Sequence, residues 1–284
     1  MHRVSHNQMP RIPRVKAALN SKCFFALVKS IIPLQQEVNV TFDLEGMEIS
    51  ALDTTNCVFI RLKIPTDSFE EYALKDGAAT TVGWDLRVVS KNVKPIGGDT
   101  ISFQYFQDEA PNDFEFVQWT GDGGVESRFS MKLLCIESDT MNVPDADDED
   151  MDLIANFDSH MLSTTSPIGR LMDVASGTVQ ISYDGSEMEF NVESTSGSGK
   201  VVINKSVTDP KLCTLSGAGS GDRMAFSTTF ISKFLQASGI GDRVNLRMQS
   251  QNPIRIEFPF LKNAHLHFIL APRLGEDSAS AMES

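Results

Sequence analysis

The sequence has no apolar run long enough to cross a membrane. Its longest uninterrupted one is Cys23–Val28, six residues, against the roughly 18–20 that a span needs. No apolar core stands behind the basic residues of Met1–Arg14, so a soluble, non-exported chain with no membrane partner is expected. The four cysteines, Cys23, Cys57, Cys135 and Cys213, lie far apart, and no pair has the spacing of a zinc site or redox motif. They are expected to be buried, reduced thiols. Neither a Gly-x-Ser-x-Gly elbow nor a His-Glu-x-x-His motif occurs. His265 and His267 alternate along an expected strand, where a strand-edge role is the simple reading. Ser194–Lys200 ends in Gly-Ser-Gly-Lys, but Ser194 and Val201 stand where a phosphate-binding loop needs Gly and Ser or Thr. The glycines of Gly217–Gly221 follow no parallel-sheet strand and read as a loop. The acid run from Asp145 has Asp150 at its sixth position and Asn156 at its twelfth, where a calcium loop needs Gly and Glu. No catalytic residue, metal or cofactor is therefore expected, and the chain reads as a non-enzyme.

What the sequence does carry is charge in particular places. The formal total is −13. Glu137–Asp152 holds eight acids and no base, and Leu274–Ser284 adds three more acids, leaving the rest of the chain at only −2. An acidic total so distributed does not exclude nucleic acid, because binding depends on where bases cluster.

The chain also repeats itself. Val38–Ser50, VNVTFDLEGMEIS, aligns with Val179–Asn191, VQISYDGSEMEFN, at an offset of 141. Trp84–Val93 aligns with Phe226–Leu235 at 142, sharing a Ser-Lys pair, and Gly98-Asp99 echoes Gly241-Asp242 at 143. Three matches at nearly one offset, close to half the length of 284, point to a duplicated chain. Period-two runs predict strands over Val38–Phe42, Val58–Ile64, Ile101–Phe106, Val179–Tyr183, Lys200–Ile203 and Val244–Met248. Helical spacing predicts helices over Lys22–Ile32, Asp85–Val93, Ile168–Val174 and Ser227–Ala237, the last capped by Ser227. Each half is thus an α+β unit of antiparallel strands and two helices. The acidic stretch Glu137–Asp152 reads as the connector.

Basic residues fall on those helices: Lys22 and Lys29; Arg87, Lys91 and Lys94; Arg170; Lys233. Spacings of i, i+4 and i+7 place each set on one helical face. The plain reading is a solvated face; against a body of charge −2 it is also a segregation that suits sequence-independent phosphate contact.

Gly46–Lys63, GMEISALDTTNCVFIRLK, resembles the signature hairpin of the eukaryotic-type sliding clamps, the proliferating cell nuclear antigen family. Met141–Pro144 is similar to that family's interdomain connecting loop, with Met131–Leu134 as the strand leading into it. His265–Leu274, HLHFILAPRL, followed by Glu276 and Asp277, resembles its C-terminal strand and Leu-Ala-Pro ending. The resemblance spans residues 15–277 and marks a divergent member, leaving a viral or protistan source open.

The resemblance implies two similar DNA-clamp domains with antiparallel sheets outside and helices lining a ring hole. The implied limits are an N-terminal extension at 1–13, domain 1 at 14–136, an acidic connecting loop at 137–152, domain 2 at 153–277 and a tail at 278–284. It implies a homotrimer that encircles double-stranded DNA without reading its sequence. The implied partners are a clamp loader and DNA polymerase and other proteins carrying clamp-binding peptides, in the nucleus or at a viral replication site. Lys91 and Lys94 fall on family lysines of the second helix; Lys22, Lys29, Arg87, Arg170 and Lys233 are the other DNA contacts implied. The partner groove is implied at Leu52, Asn56, Cys57, Met141, Val143, Pro144, Pro253, Ile269, Ala271 and Pro272, a largely apolar set. Ile269 stands where the family usually has tyrosine and Asn56 where histidine is common, which implies an altered partner preference. No lysine in Tyr183–Glu189 matches the family's loop lysine for ubiquitin or SUMO attachment. The alternative is an open, monomeric or dimeric factor of the same fold held to DNA by charge.

Overall fold

The computed structural model describes residues 12–94, 100–119, 124–137, 151–174, 177–195 and 197–273. The first half runs β1 (Val15–Asn20), α1 (Ser21–Ile31), β2 (Glu37–Phe42), β3 (Gly46–Leu52), β4 (Val58–Pro65), β5 (Glu71–Leu74), β6 (Thr80–Asp85), α2 (Leu86–Asn92), β7 (Thr100–Tyr105), β8 (Asp113–Trp119) and β9 (Glu126–Lys132). The second runs β10 (Leu153–Asp158), α3 (Pro167–Val174), β11 (Thr178–Tyr183), β12 (Glu187–Ser194), β13 (Gly197–Asn204), β14 (Cys213–Ser216), β15 (Met224–Ser227), α4 (Thr228–Phe234), β16 (Arg243–Met248), β17 (Ile254–Phe260) and β18 (Ala264–Leu270). Element for element the halves match, as the repeated sequence predicts.

Local chemistry accounts for the elements. Strands such as β2 and β11 bury every second residue, the period-two pattern of a half-covered sheet. Two helices start at caps: the Asn20 side chain accepts from the amides of Lys22 and Cys23, and Asp85 accepts from the amide of Arg87. Ser227, expected as the cap of α4, occupies the position but makes no capping bond, because it still pairs with Thr178 as the last residue of β15. That helix also ends at Phe234 rather than Ala237, the chain continuing as a 3₁₀ turn over Leu235–Gly239. Trp84 is fully buried in domain 1 among Phe24, Phe42, Phe103, Phe114 and Phe116. In domain 2 Phe234 of α4 stacks on Phe268 of β18 at 4.6 Å.

The cysteines depart from expectation. Cys213 is buried and Cys23 partly so, and burial pushes both thiols up to about 11. Cys57 and Cys135 are exposed instead, because the hairpin turn and the segment after β9 lie on the surface.

Sheet order shows how the halves join. Domain 1 has one sheet ordered β5-β1-β7-β8-β9; its counterpart in domain 2 is β14-β10-β16-β17-β18. The other sheets are β4-β3-β2-β6 and β13-β12-β11-β15. β18 pairs antiparallel with β4, from His265 opposite Lys63 to Leu270 opposite Val58, fusing two of these into a nine-stranded sheet. His265 and His267 therefore lie on an interior strand, not on a sheet edge as expected, because β4 covers β18. The helices follow suit: α1 packs on α2 and on the turn after α4, and α4 on α3, giving a row α2–α1–α4–α3.

At the seam, β18 of domain 2 pairs with β4 of domain 1, and the turn that continues α4 packs on α1. Their repeat counterparts, β9 with α2 and β13 with α3, stand at the two ends, and neither edge strand is paired on its outer side among the described residues. A finer match supports the equivalence. The amide of Leu134, past β9, donates to Gly83 O at 2.9 Å, and the amide of Arg273, past β18, donates to Ala225 O at 2.7 Å. Strand register makes Gly83 and Ala225 counterparts, next to Trp84 and Phe226.

Candidate functional site: a helical face and an outer groove

Each helix buries its apolar side and leaves bases outside. In α1, Phe24, Leu27, Val28 and Ile31 are buried while Lys22 and Lys29 are exposed. In α2, Leu86 and Val89 are buried while Arg87 and Lys91 are exposed. Arg170 of α3 is exposed, and Lys233 of α4 is half-buried with its ammonium 5.3 Å from the Phe230 ring. Lys22, Lys91, Lys94 and Arg170 have no ion-pair partner among the described residues, so their charge is available. Two expectations change. Lys94 is not on the helix: α2 ends at Asn92, and Val93 turns extended to bury its side chain, so the i+7 spacing does not apply. Lys94 is nevertheless exposed, its carbonyl held by Gln118 Nε2 at 2.9 Å. Arg87 is tied to Asp85 at 2.7 Å and Glu37 at 3.3 Å, which neutralises it locally.

The opposite face of the nine-stranded sheet carries the second site. On β3, β4 and β18 the core residues alternate with Glu48 and Ser50, Arg61 and Lys63, and His265 and His267. At the end of each strand an apolar residue breaks that parity: Leu52, Phe59 and Ile269. Register sets them side by side, Leu52 opposite Phe59 and Phe59 opposite Ile269, with Arg255 next in the row. Phe59 and Ile269 are only 6 % and 9 % exposed yet lie outside the main core cluster. Asn56 and Cys57 are exposed beside this row, and Ala271 is joined to it by its amide donating to Cys57 O at 3.1 Å. Pro272 follows, and Pro253 leads into Ile254, the partner of Leu270. Pro253 and Arg255 also line a shallow pocket of about 60 Å³ with Met151, Gln249 and Asn252. Seven of the ten expected groove residues thus gather at one strand end. The other three, Met141, Val143 and Pro144, lie outside the described residues, as does most of the acidic connector. Phe59 and Arg255 share this row without being among the residues expected from sequence; the parity break in VFIRLKIP is the sequence signal for Phe59.

Asp53 shapes the end of this groove. Its buried carboxylate accepts from the Thr55 amide and hydroxyl, the Cys57 amide and the Val58 amide at 2.6–3.0 Å. Burial alone raises a carboxyl, but these four bonds outweigh it and hold Asp53 below the usual range. They also fix Asn56 at φ +57, left-handed backbone that asparagine tolerates. Asp53→Asn replaces an acceptor oxygen by a donor facing other donors, and is expected to lower stability by about 1–3 kcal/mol at pH 7. Because the folded-state carboxyl is depressed, its contribution is present above pH ~4 and lost as pH falls through its folded value. Urea unfolding of both proteins should therefore show the gap closing in strong acid; a gap independent of pH contradicts the assignment.

Family models agree with the two-part organisation. Residues 15–142 match "Proliferating cell nuclear antigen, N-terminal domain" and residues 147–273 match "Proliferating cell nuclear antigen, C-terminal domain". The Saccharomyces cerevisiae proliferating cell nuclear antigen is 24% identical over 247 residues, 85% of this chain and 91% of the yeast protein. A probable DNA polymerase sliding clamp 1 from Paramecium bursaria Chlorella virus 1 is 25% identical over 259 residues, 89% and 93% of the two chains. The crystal structure of proliferating cellular nuclear antigen from Entamoeba histolytica shares the fold, with a TM-score of 0.80 at 17% identity over 93% of this chain and all of that one. With both halves matched and the fold shared, the chain belongs to the proliferating cell nuclear antigen family, and its function is that of a DNA sliding clamp.

Proposed function

We propose that copies of this chain join head-to-tail into a closed homotrimeric ring that encircles duplex DNA and tethers DNA polymerase and other enzymes without itself catalysing a reaction. One observation carries this reading: the free ends, β9 with α2 and β13 with α3, are the repeat counterparts of the elements that already pair at the internal seam. Applying the same operation between chains extends the sheet and the helix row together, and a heterologous contact of this kind closes into a ring when its rotation divides a full turn. The register transfers too. Leu266 opposite Leu62 becomes Ser127 opposite Val201 of the next copy, and Phe268 opposite Ile60 becomes Phe129 opposite Gly199.

In this ring the helix row faces the hole, so Lys22, Lys29, Lys91, Lys94, Arg170 and Lys233 meet phosphates with no base readout, with Arg87 a weaker contributor. The domains are proposed at 14–136 and 153–277, joined by the acidic connector at 137–152, with 1–13 and 278–284 as terminal extensions. A clamp loader opens the ring, and the place of action is the nucleus or a viral replication site. The outer row of Leu52, Phe59 and Ile269, walled by Asn56, Cys57, Pro253, Ala271 and Pro272 and completed by Met141, Val143 and Pro144, receives a short peptide with apolar anchors.

The test is topological. Loaded onto a nicked circle, the protein is expected to survive a high-salt wash and to be lost once the circle is cut. Release by salt alone, with no effect of cutting, favours the open, charge-held alternative. Lys91→Ala/Lys94→Ala is expected to leave the assembly intact while lowering the slope of log affinity against log salt by ~1.8, two phosphate contacts' worth. An unchanged slope on short linear duplexes removes both lysines from the hole.

A further inference from the structure

The outer face holds a cluster that neither the groove nor the helix row uses. His265 and His267 stand two apart on β18, so their rings project from the same face, with centroids 5.8 Å apart. Glu257 of β17 lies directly opposite His267 and is buried, with Oε1 2.5 Å from His265 Nδ1. That nitrogen is shielded from water and, among the described residues, faces Glu257 alone, an ion pair when His265 is protonated and an open donor set when it is neutral. One ligand atom from each of the three side chains falls within 4.8 Å of the other two.

We propose that Glu257, His265 and His267 form a binding site for a divalent transition-metal ion, with zinc the best match. Two imidazoles and one carboxylate are a borderline-soft set that zinc accepts, leaving a position for water. Zinc–nitrogen and zinc–oxygen bonds of about 2.0–2.2 Å require the three atoms to converge on one centre, which turning the two imidazoles toward Glu257 would do. Supporting contacts exist: Arg247 donates to Glu257 Oε2 at 2.8 Å and Asn245 at 3.2 Å, which leaves Oε1, the oxygen turned toward His265, to share an ion with that ring. His265 is 38 % exposed, which gives an ion a way in. Arg61, opposite His267 on β4, and Arg247 place two cations nearby, which weakens the affinity without removing a ligand. All three ligands come from the β17–β18 hairpin, the one that carries the internal seam; at the positions that correspond in domain 1 stand Val117, Glu126 and Arg128, so the site is specific to domain 2.

Zinc titration of the full chain against a chromogenic chelator, with metal-free circular dichroism as the folding control, tests this. The wild type is expected to take up one equivalent per chain, and His265→Gln and His267→Gln each to lower the affinity at least tenfold while folding normally. A cobalt(II) spectrum with nitrogen-ligand bands that H267Q abolishes is the second readout, and it serves if either variant folds poorly. No saturable uptake by the wild type, or uptake unchanged in both variants, overturns the proposal. Because the site lies within one chain, the result is independent of whether the ring closes.

Discussion

Ser127→Asp is expected to reduce the assembly to single chains without unfolding them. Ser127 is exposed on β9, and its backbone pairs with Gln118 of β8, so a carboxylate there is solvated in the isolated chain. In the proposed ring the same position lies on the inner side of the sheet, facing Val201 of the next copy, because its counterpart Leu266 is fully buried against Leu62. An unpaired carboxylate buried there costs about 3–5 kcal/mol, which weakens each contact by roughly two to four orders of magnitude. Sedimentation or light scattering reads the mass, and far-ultraviolet circular dichroism confirms the fold. Unaltered assembly would show that β9 is not at the subunit contact. Arg128→Ala, on the outer side of the same strand, serves as the contrast: it removes surface ion pairs with Glu126 and Glu115 and is expected to change assembly little.

Leu52→Asp is expected to abolish peptide capture while leaving the ring and its DNA retention intact. Leu52 is half-buried at the end of β3, in register with Phe59 and through it with Ile269. A charge in the apolar row removes an anchor pocket and forces a carboxylate against the incoming side chain, a loss of about 2 kcal/mol or more, ~30-fold in affinity. Val143→Asp is expected to act the same way from the connector side. Fluorescence anisotropy with a labelled clamp-binding peptide measures both; wild-type affinity in Leu52→Asp would move the groove elsewhere on the chain. Ile269 makes this row aliphatic at one end, so peptides with aliphatic anchors are expected to compete best.

The parts of this account that are local in sequence were legible there. The echo of VNVTFDLEGMEIS in VQISYDGSEMEFN fixed the duplication, and β2–β3 and β11–β12 are the same hairpin in space. Helix bases could be listed, but the end of α2 could not be placed, because the burial of Val93 depends on packing and not on the local pattern; Lys94 left the helix for that reason. The pairing of β18 with β4 joins residues about 200 apart, and no period in the chain signals it. The same distance hid the true setting of His265 and His267, read as a strand edge until β4 covered it. Glu257 joins them from the neighbouring strand, so no spacing within a motif reveals the cluster. The proposed groove rests in sequence on a family resemblance alone, and its physical mark, an apolar residue at the polar parity of three adjacent strands, emerges only when register aligns Leu52, Phe59 and Ile269.

Closure is the claim on which the rest depends, and the mass in solution measures it most directly. Light scattering across a dilution series, at low and high salt, is expected to give a stable species of about 94 kDa, three times the 31.3 kDa chain, at both ionic strengths, because the contact is an extended sheet and not a charge attraction. A mass of one chain at every concentration would contradict the ring and leave the helix row as an open, salt-sensitive DNA surface.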